Sequence, residues 1–288
     1  MAAGRYRIRV LDAAGVQAVM IPWMQAAGWN PGVHDGECFP VADPGGFLVG
    51  ELDGCPIATV SAVRYEGHFG FMGCYLVAPP FRGLGYGLAI HEAGRRHLAG
   101  CVQGGDGVLE KVATYQRIGR TLAYHNIRFE GVRTDSDWRP ELPLTDARHV
   151  SLGALERIDR ACFPAPRSQF LVAWLHQADA VALAAPDALS AGQVCGYGVI
   201  RRCFSGWKIG PLFACDVRVA EAIMRGLVER IPVGEPFYLD VPAPNQQAMA
   251  LAALYGLRKV FATARMYAGH PPAIRLGWVF GVTTFELG

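Results

Sequence analysis

Apolar and polar residues alternate over 6–11, the period of a strand with one buried face. The spacing then lengthens: Val16, Val19, Met20, Trp23 and Met24 recur at helical intervals, which predicts a helix over 14–29. The stretch 30–46 is rich in Gly, Pro and Asp and reads as a loop. Runs at 47–52 and 56–65 flank Asp53-Gly54, a pair that tolerates the positive φ of a tight turn, and so predict a hairpin. A strand at 70–77 and an amphipathic helix at 85–99 follow. Gly104-Gly105-Asp106-Gly107 reads as a break, 111–118 as a short helix and 121–129 as a strand.

The second half repeats this order. Helical patterns at 152–161 and 168–176 precede strand patterns at 180–185, 194–202 and 207–214. A helix at 217–231, a strand at 236–241 and a helix at 245–255 lead to closing strands at 257–267 and 278–287. Between the halves, 131–147 is polar, contains Pro140 and Pro143 and shows little periodicity. The boundary is therefore placed at 143/144, giving domains 1–143 and 144–288, and the repeated order points to a tandem duplication.

Composition narrows the class. Half of the 288 residues are hydrophobic and 18% are charged, enough for a sizeable core. A net charge of +2 without like-charge runs argues against a nucleic-acid or anionic-membrane partner. The eight cysteines form no C-x-x-C pair and several sit in apolar runs, as reduced buried thiols do. No apolar leader opens the chain and no run spans a bilayer, so a cytoplasmic location is expected. His91-Glu92 followed by His97 misses the zinc spacing H-E-x-x-H, and no metal is expected. The oligomeric state stays open, a homodimer included.

The chemistry concentrates at 71–90. An aromatic, apolar run ends at Val77, Pro79-Pro80 stops it, and Arg82-Gly83-Leu84-Gly85-Tyr86-Gly87 opens a helix. Converging backbone amides, a helix N-terminus and Arg82 form a cradle for a phosphorylated cofactor. The glycine spacing fails the dinucleotide pattern G-x-G-x-x-G, and no Gly-Lys-Ser/Thr follows. Arg-x-x-Gly-x-Gly after a strand resembles the acetyl-CoA pyrophosphate loop of the GNAT superfamily of N-acetyltransferases. A second family signature, Asn-x-x-Ala-x-x-Leu-Tyr-x-x-x-Gly-Phe, survives in pieces: Tyr115 and Gly119 in the first half, with Arg120 where Phe is usual, and Asn245, Ala248, Leu251 and Gly256 in the second. The ending, Ala264 to Tyr267 and Val279 to Gly288, resembles that of bacterial tandem GNAT proteins, which pair an active-looking half with a divergent C-terminal one.

This resemblance implies an α/β (α+β) chain of two tandem GNAT-like domains, each a mixed, mostly antiparallel sheet flanked by helices. It implies acetyl-CoA as cosubstrate, held by the Leu76 and Val77 backbone and by Arg82, Gly83, Leu84, Gly85, Tyr86 and Gly87. Tyr115 falls at the position of the general acid toward the departing thiolate. Transfer to a small-molecule or peptide primary amine by direct attack in a ternary complex is expected, because no Cys–His nucleophile pair emerges and Cys74 has apolar neighbours. Asp35 and Glu37, in the loop that commonly shapes the acceptor site, and Glu51, a proton-relay candidate, are the acceptor-side residues. In the second half 207–214 reaches its helix through only Cys215 and Asp216, so one cofactor site per chain is expected. Asp240 and Arg265, both in apolar strands, are expected to pair with each other or to line an interdomain cleft. The competing reading is a non-catalytic acyl-CoA sensor or assembly module.

Overall fold

A computed structural model describes residues 5–135 and 137–288; the first four residues, part of the stretch read above for a leader, and Ser136 of the connecting stretch lie outside them. Strand β1 (Tyr6–Val10) leads to α1 (Ala13–Gly15), a π-helical turn (Val16–Met20) and α2 (Ile21–Ala26), one helical stretch capped by the Asp12 side chain. Its spacing buries Val16, Met20, Ile21 and Met24, as the periodicity requires.

The expected loop at 30–46 contains a helix, α3 (Asp35–Ala42). Gly36 and Pro40 hid it, while Asp35 and Glu37 suit the positive end of its dipole. Strands β2 (Phe47–Leu52), β3 (Cys55–Tyr65) and β4 (Phe69–Val77) then form an antiparallel meander. Next come α4 (Tyr86–His97), β5 (Val102–Val108), α5 (Val112–Arg117) and β6 (Thr121–Val132). The expected break at Gly104–Gly107 lies inside β5. A Cβ at Gly104 would meet the rings of Phe69 and Phe71, so bare backbone is what lets the strand pack there.

The second half runs β7 (Thr145–Asp146), α6 (Leu152–Cys162), α7 (Ser168–His176), β8 (Ala180–Pro186), β9 (Val194–Arg202), β10 (Trp207–Ala214), α8 (Val217–Val228), β11 (Pro236–Pro242), α9 (Gln246–Leu254), β12 (Arg258–Ala268) and β13 (Val279–Gly281). Only three residues of the expected closing strand at 278–287 are extended; the rest turns back into the core.

All strands belong to one sheet, in the order β1-β2-β3-β4-β5-β12-β6-β11-β10-β9-β8-β7, with β13 on β10. Among the described residues pairing is parallel only for β4–β5 and β10–β11, the same position in each half. The halves exchange their long closing strands: β12 lies between β5 and β6, and β6 lies between β12 and β11. Asp240 and Arg265 therefore do not pair with each other. Each forms a two-bond ion pair with the residue opposite it in the first half, Arg128 Nε donating to Asp240 Oδ1 at 2.7 Å and Arg265 Nη2 to Asp106 Oδ2 at 2.7 Å.

Packing follows the same exchange. The largest core joins α2, α3 and β2 of the first half to α6 and α7 of the second, with Phe39 stacked on Trp174 at 6.2 Å. A smaller core lies under α4, where Ile90 and Leu98 meet Val60, Ala62 and Met72. Among the described residues no helix is long and apolar enough to cross a membrane.

Candidate active site

β4 and β5 pair over only three positions, Phe69–Val102, Gly70–Gln103 and Phe71–Gly104, and then diverge. β4 remains bonded to β3 on its other side, but the register shifts between Ser61–Gly73 and Thr59–Leu76. At that bulge Cys74 takes φ +47°, and its carbonyl accepts the Thr59 hydroxyl at 2.8 Å. The split opens a cavity of about 670 Å3, walled by Met72 to Val77 on one side and Gly105 to Val108 on the other.

The glycine turn closes one end. Gly83 and Gly85 hold φ of +77° and +88°, backbone that L side chains rarely adopt. Gly85 precedes α4 without any side-chain cap, so the first amides of a twelve-residue helix are left for a ligand. Arg82 is braced across the turn, its Nε donating to the Val77 carbonyl at 2.9 Å. Of the residues expected to hold the cofactor, Leu76, Val77, Arg82, Gly83, Gly85 and Gly87 line the cavity. Leu84 and Tyr86 do not. Leu84 is exposed, and Tyr86 packs against Tyr6 at 4.8 Å.

Tyr115, on α5, also lines the cavity. Its ring covers Gly107, where a Cβ would come within 2.5 Å of it, so a bare position in β5 sets where the tyrosine lies. Among the described residues its hydroxyl makes no hydrogen bond. Burial pushes its pKa up and neighbouring Arg120 pulls it back. Arg120 is buried without a carboxylate partner among the described residues, its Nη2 donating to the Met72 sulfur at 3.6 Å. His91 stands against Tyr75, and its pKa is lowered to about 4, by burial first and then by Arg120 and Arg95.

The structure places the three expected acceptor-side residues, Asp35, Glu37 and Glu51, outside this cavity. Asp35 is fully buried, accepting from Arg201 Nε at 2.8 Å and from the Gly32 amide at 2.7 Å, and no charge is left to attract an ammonium. Glu37 lies on the surface beside His34, and Glu51 pairs with Arg9 on β1; neither reaches the cavity. Strand 47–52 runs two strands away from the split, which is why Glu51 cannot serve it. The cavity is also lined by Trp29, Arg128, Phe261, Phe285 and Glu286. These come from four separated segments, and no local spacing joins them. Cys74 is buried against the Met24 sulfur at 3.6 Å, and burial pushes its thiol far up, which makes a thiolate nucleophile there unfavourable. Among the described residues no three His, Cys, Asp or Glu side chains gather as a metal site.

The matching place in the second half is filled. β10 and β11 also pair over three positions and part, but β13 enters the gap, pairing with β10, while the Val282 amide donates to the Asp240 carbonyl on β11 at 2.8 Å. The Asn245 side chain holds this plug, donating to the Val279 carbonyl at 2.9 Å. α8 is closed as well: the Asp216 carboxylate accepts the Val219 amide at 3.0 Å and places negative charge where a phosphate would bind.

Comparisons with known proteins agree with this geometry. Residues 20–112 match the acetyltransferase (GNAT) family, and residues 155–281 match an acetyltransferase (GNAT) domain. The holothin acyltransferase of a Pseudoalteromonas strain is 27% identical over 267 residues, 92% of this chain and 89% of that protein. A candidate acetyltransferase of Pyrococcus horikoshii superposes with a TM-score of 0.82 at 19% identity, covering 98% of this chain and 96% of the other. A tandem GNAT protein from the clavulanic acid biosynthesis pathway does so with a TM-score of 0.60 at 12% identity, covering 93% and 100%.

Proposed function

The chain belongs to the GNAT superfamily, with a GNAT-like half in each part of its sequence, and is an acyltransferase; from that premise we propose that it moves the acetyl group of acetyl-CoA onto a primary amine by direct attack in a ternary complex. The observation that carries this reading is the β4–β5 split ending on the uncapped start of α4.

Each wall has a task in acyl transfer. Arg82 and the amides of the glycine turn and α4 hold the pyrophosphate. The edge of β4 beyond Phe71, unpaired on the β5 side, offers backbone groups to the pantetheine arm and the thioester oxygen. Tyr115 donates a proton to the departing sulfur. Burial makes it a reluctant acid, and the Arg120 charge offsets this by favouring the phenolate left behind. Acceptor and thioester meet in the split from opposite faces, so the amine attacks directly and no cysteine intermediate is needed.

Isothermal titration with acetyl-CoA tests the reading. One saturable site per chain is expected, lost at least 100-fold in Gly85→Glu, which forces a side chain onto φ +88° and sets a carboxylate against the phosphates. A stoichiometry near two would refute the single site, and wild-type protein that failed to bind would refute the function.

A further inference from the structure

Along β4, side chains alternate between the faces of the sheet. Met72 points into the core under α4, and at Gly73 an added Cβ would run into the backbone of Glu286, on the opposite face. Phe285 and Glu286, supplied by the second half, thus line the first half's cavity.

Glu286 is held by its backbone and not by its side chain. Its carbonyl accepts the Ser61 hydroxyl at 3.5 Å, its amide donates to Thr284 Oγ1 at 3.2 Å, and the next carbonyl accepts the Tyr65 hydroxyl at 3.0 Å. The residue is only 4% exposed and lines the cavity, yet among the described residues its carboxylate has no hydrogen bond or ion pair. The charges facing it are Asp35 and three cations, none bonded to it: Arg128 pairs with Asp240, Arg201 with Asp35, and Lys208 donates its Nζ proton to the Asn30 carbonyl at 2.7 Å. A buried carboxylate without a partner is costly unless a ligand completes it.

We propose that the Glu286 carboxylate receives the acceptor as a primary ammonium on a flat apolar body, seated beside Trp29, Phe261 and Phe285, and takes the proton that frees its nitrogen for attack. The site rests on the acetyl-transfer reading above. Burial raises the proton affinity of Glu286, the direction that favours taking a proton from the acceptor. The balance is closed. The ammonium gives one proton to Glu286, which passes it to solvent. The neutral nitrogen then bonds to the thioester carbon, the C–S bond breaks with its electron pair on sulfur, and Tyr115 protonates that sulfur. The second nitrogen proton leaves as the amide forms and restores the balance through solvent.

The test titrates CoA-saturated protein with benzylammonium chloride and with benzyl alcohol, for wild type, Glu286→Gln and Glu286→Asp. The expected result is saturable binding of the cation, weakened at least tenfold in Glu286→Gln and partly retained in Glu286→Asp. CoA affinity should be unchanged, and the Glu286→Gln melting temperature should not fall, since that change removes an unpartnered buried charge. With acetyl-CoA, kcat toward benzylamine should drop roughly 100-fold in Glu286→Gln. Equal binding by wild type and Glu286→Gln, or no benzylammonium binding to the CoA complex, would overturn the proposal and leave the cofactor reading standing. Failure of CoA itself to bind would remove both.

Discussion

Tyr115 and His91 show how burial and neighbouring charge tune single side chains. Tyr115→Phe keeps the ring over Gly107 and removes only the proton. The expected outcome is a fall in kcat of about 100-fold with acetyl-CoA affinity unchanged, read by thiol release and titration. A loss confined to KM would assign the tyrosine to binding. His91 carries a pH dependence of known sign. Its folded pKa, about 4, lies below the ordinary imidazole value, so the unfolded chain binds the extra proton between pH 6.5 and 4. Its contribution is full above 6.5 and disappears as pH falls through that window. The melting temperature of wild type should therefore drop more steeply from pH 6.5 to 4.5 than that of His91→Leu; parallel curves would place the acid sensitivity elsewhere. The Tyr115 position was legible in the sequence because it sits in a local motif. The place of Glu286 in the cavity was not, because it is the fold that brings the end of the second half against β4.

At the scale of elements, the glycine turn and the plugged second cleft are two outcomes of one supersecondary unit. Each half has a parallel pair that parts after three positions, with a helix joining its two strands. In the first, glycines leave the α4 amides open; in the second, Asp216 caps α8 and β13 fills the gap. The missing glycine turn was visible in the sequence, and so the single site was expected. The plug was not, since three extended residues carry no period of their own. α3 was misread for a related reason: its helix rests on tertiary contacts, chiefly Asp35 with Arg201, that override Gly36 and Pro40. Glycines in β5 misled in the opposite direction, because the rings lying over them supply the packing that their own side chains lack.

For the whole molecule, the sequence division at 143/144 falls between β6 and β7, whereas the sheet exchanges strands across it. β6 has both of its sheet neighbours from the second half, and β12 has both from the first. Separate fragments 1–143 and 144–288 would each present unpaired edges and one member of each buried ion pair, losses of about 3–5 kcal/mol per broken pair against a typical stability of about 5–15 kcal/mol. Neither fragment should fold alone, and mixing the two should restore the near-UV circular dichroism of the intact chain. A fragment giving a cooperative melt by itself would show the exchange to be dispensable. Element order was enough to propose two related halves, but hydrophobic spacing says nothing about which partner a strand chooses.

The exchange also imposes a schedule on synthesis. β6 ends at Val132, and the strand that must cover one of its edges begins only at Arg258. At about 5–20 residues per second, a ribosome leaves that edge waiting for on the order of ten seconds. During this interval the nascent chain carries a long strand available to any other chain with a free edge. Slower elongation would lengthen the exposure, and crowding on a polysome would bring identical edges together, so the yield of native protein should be set as much by the pace of translation as by the stability of the finished fold.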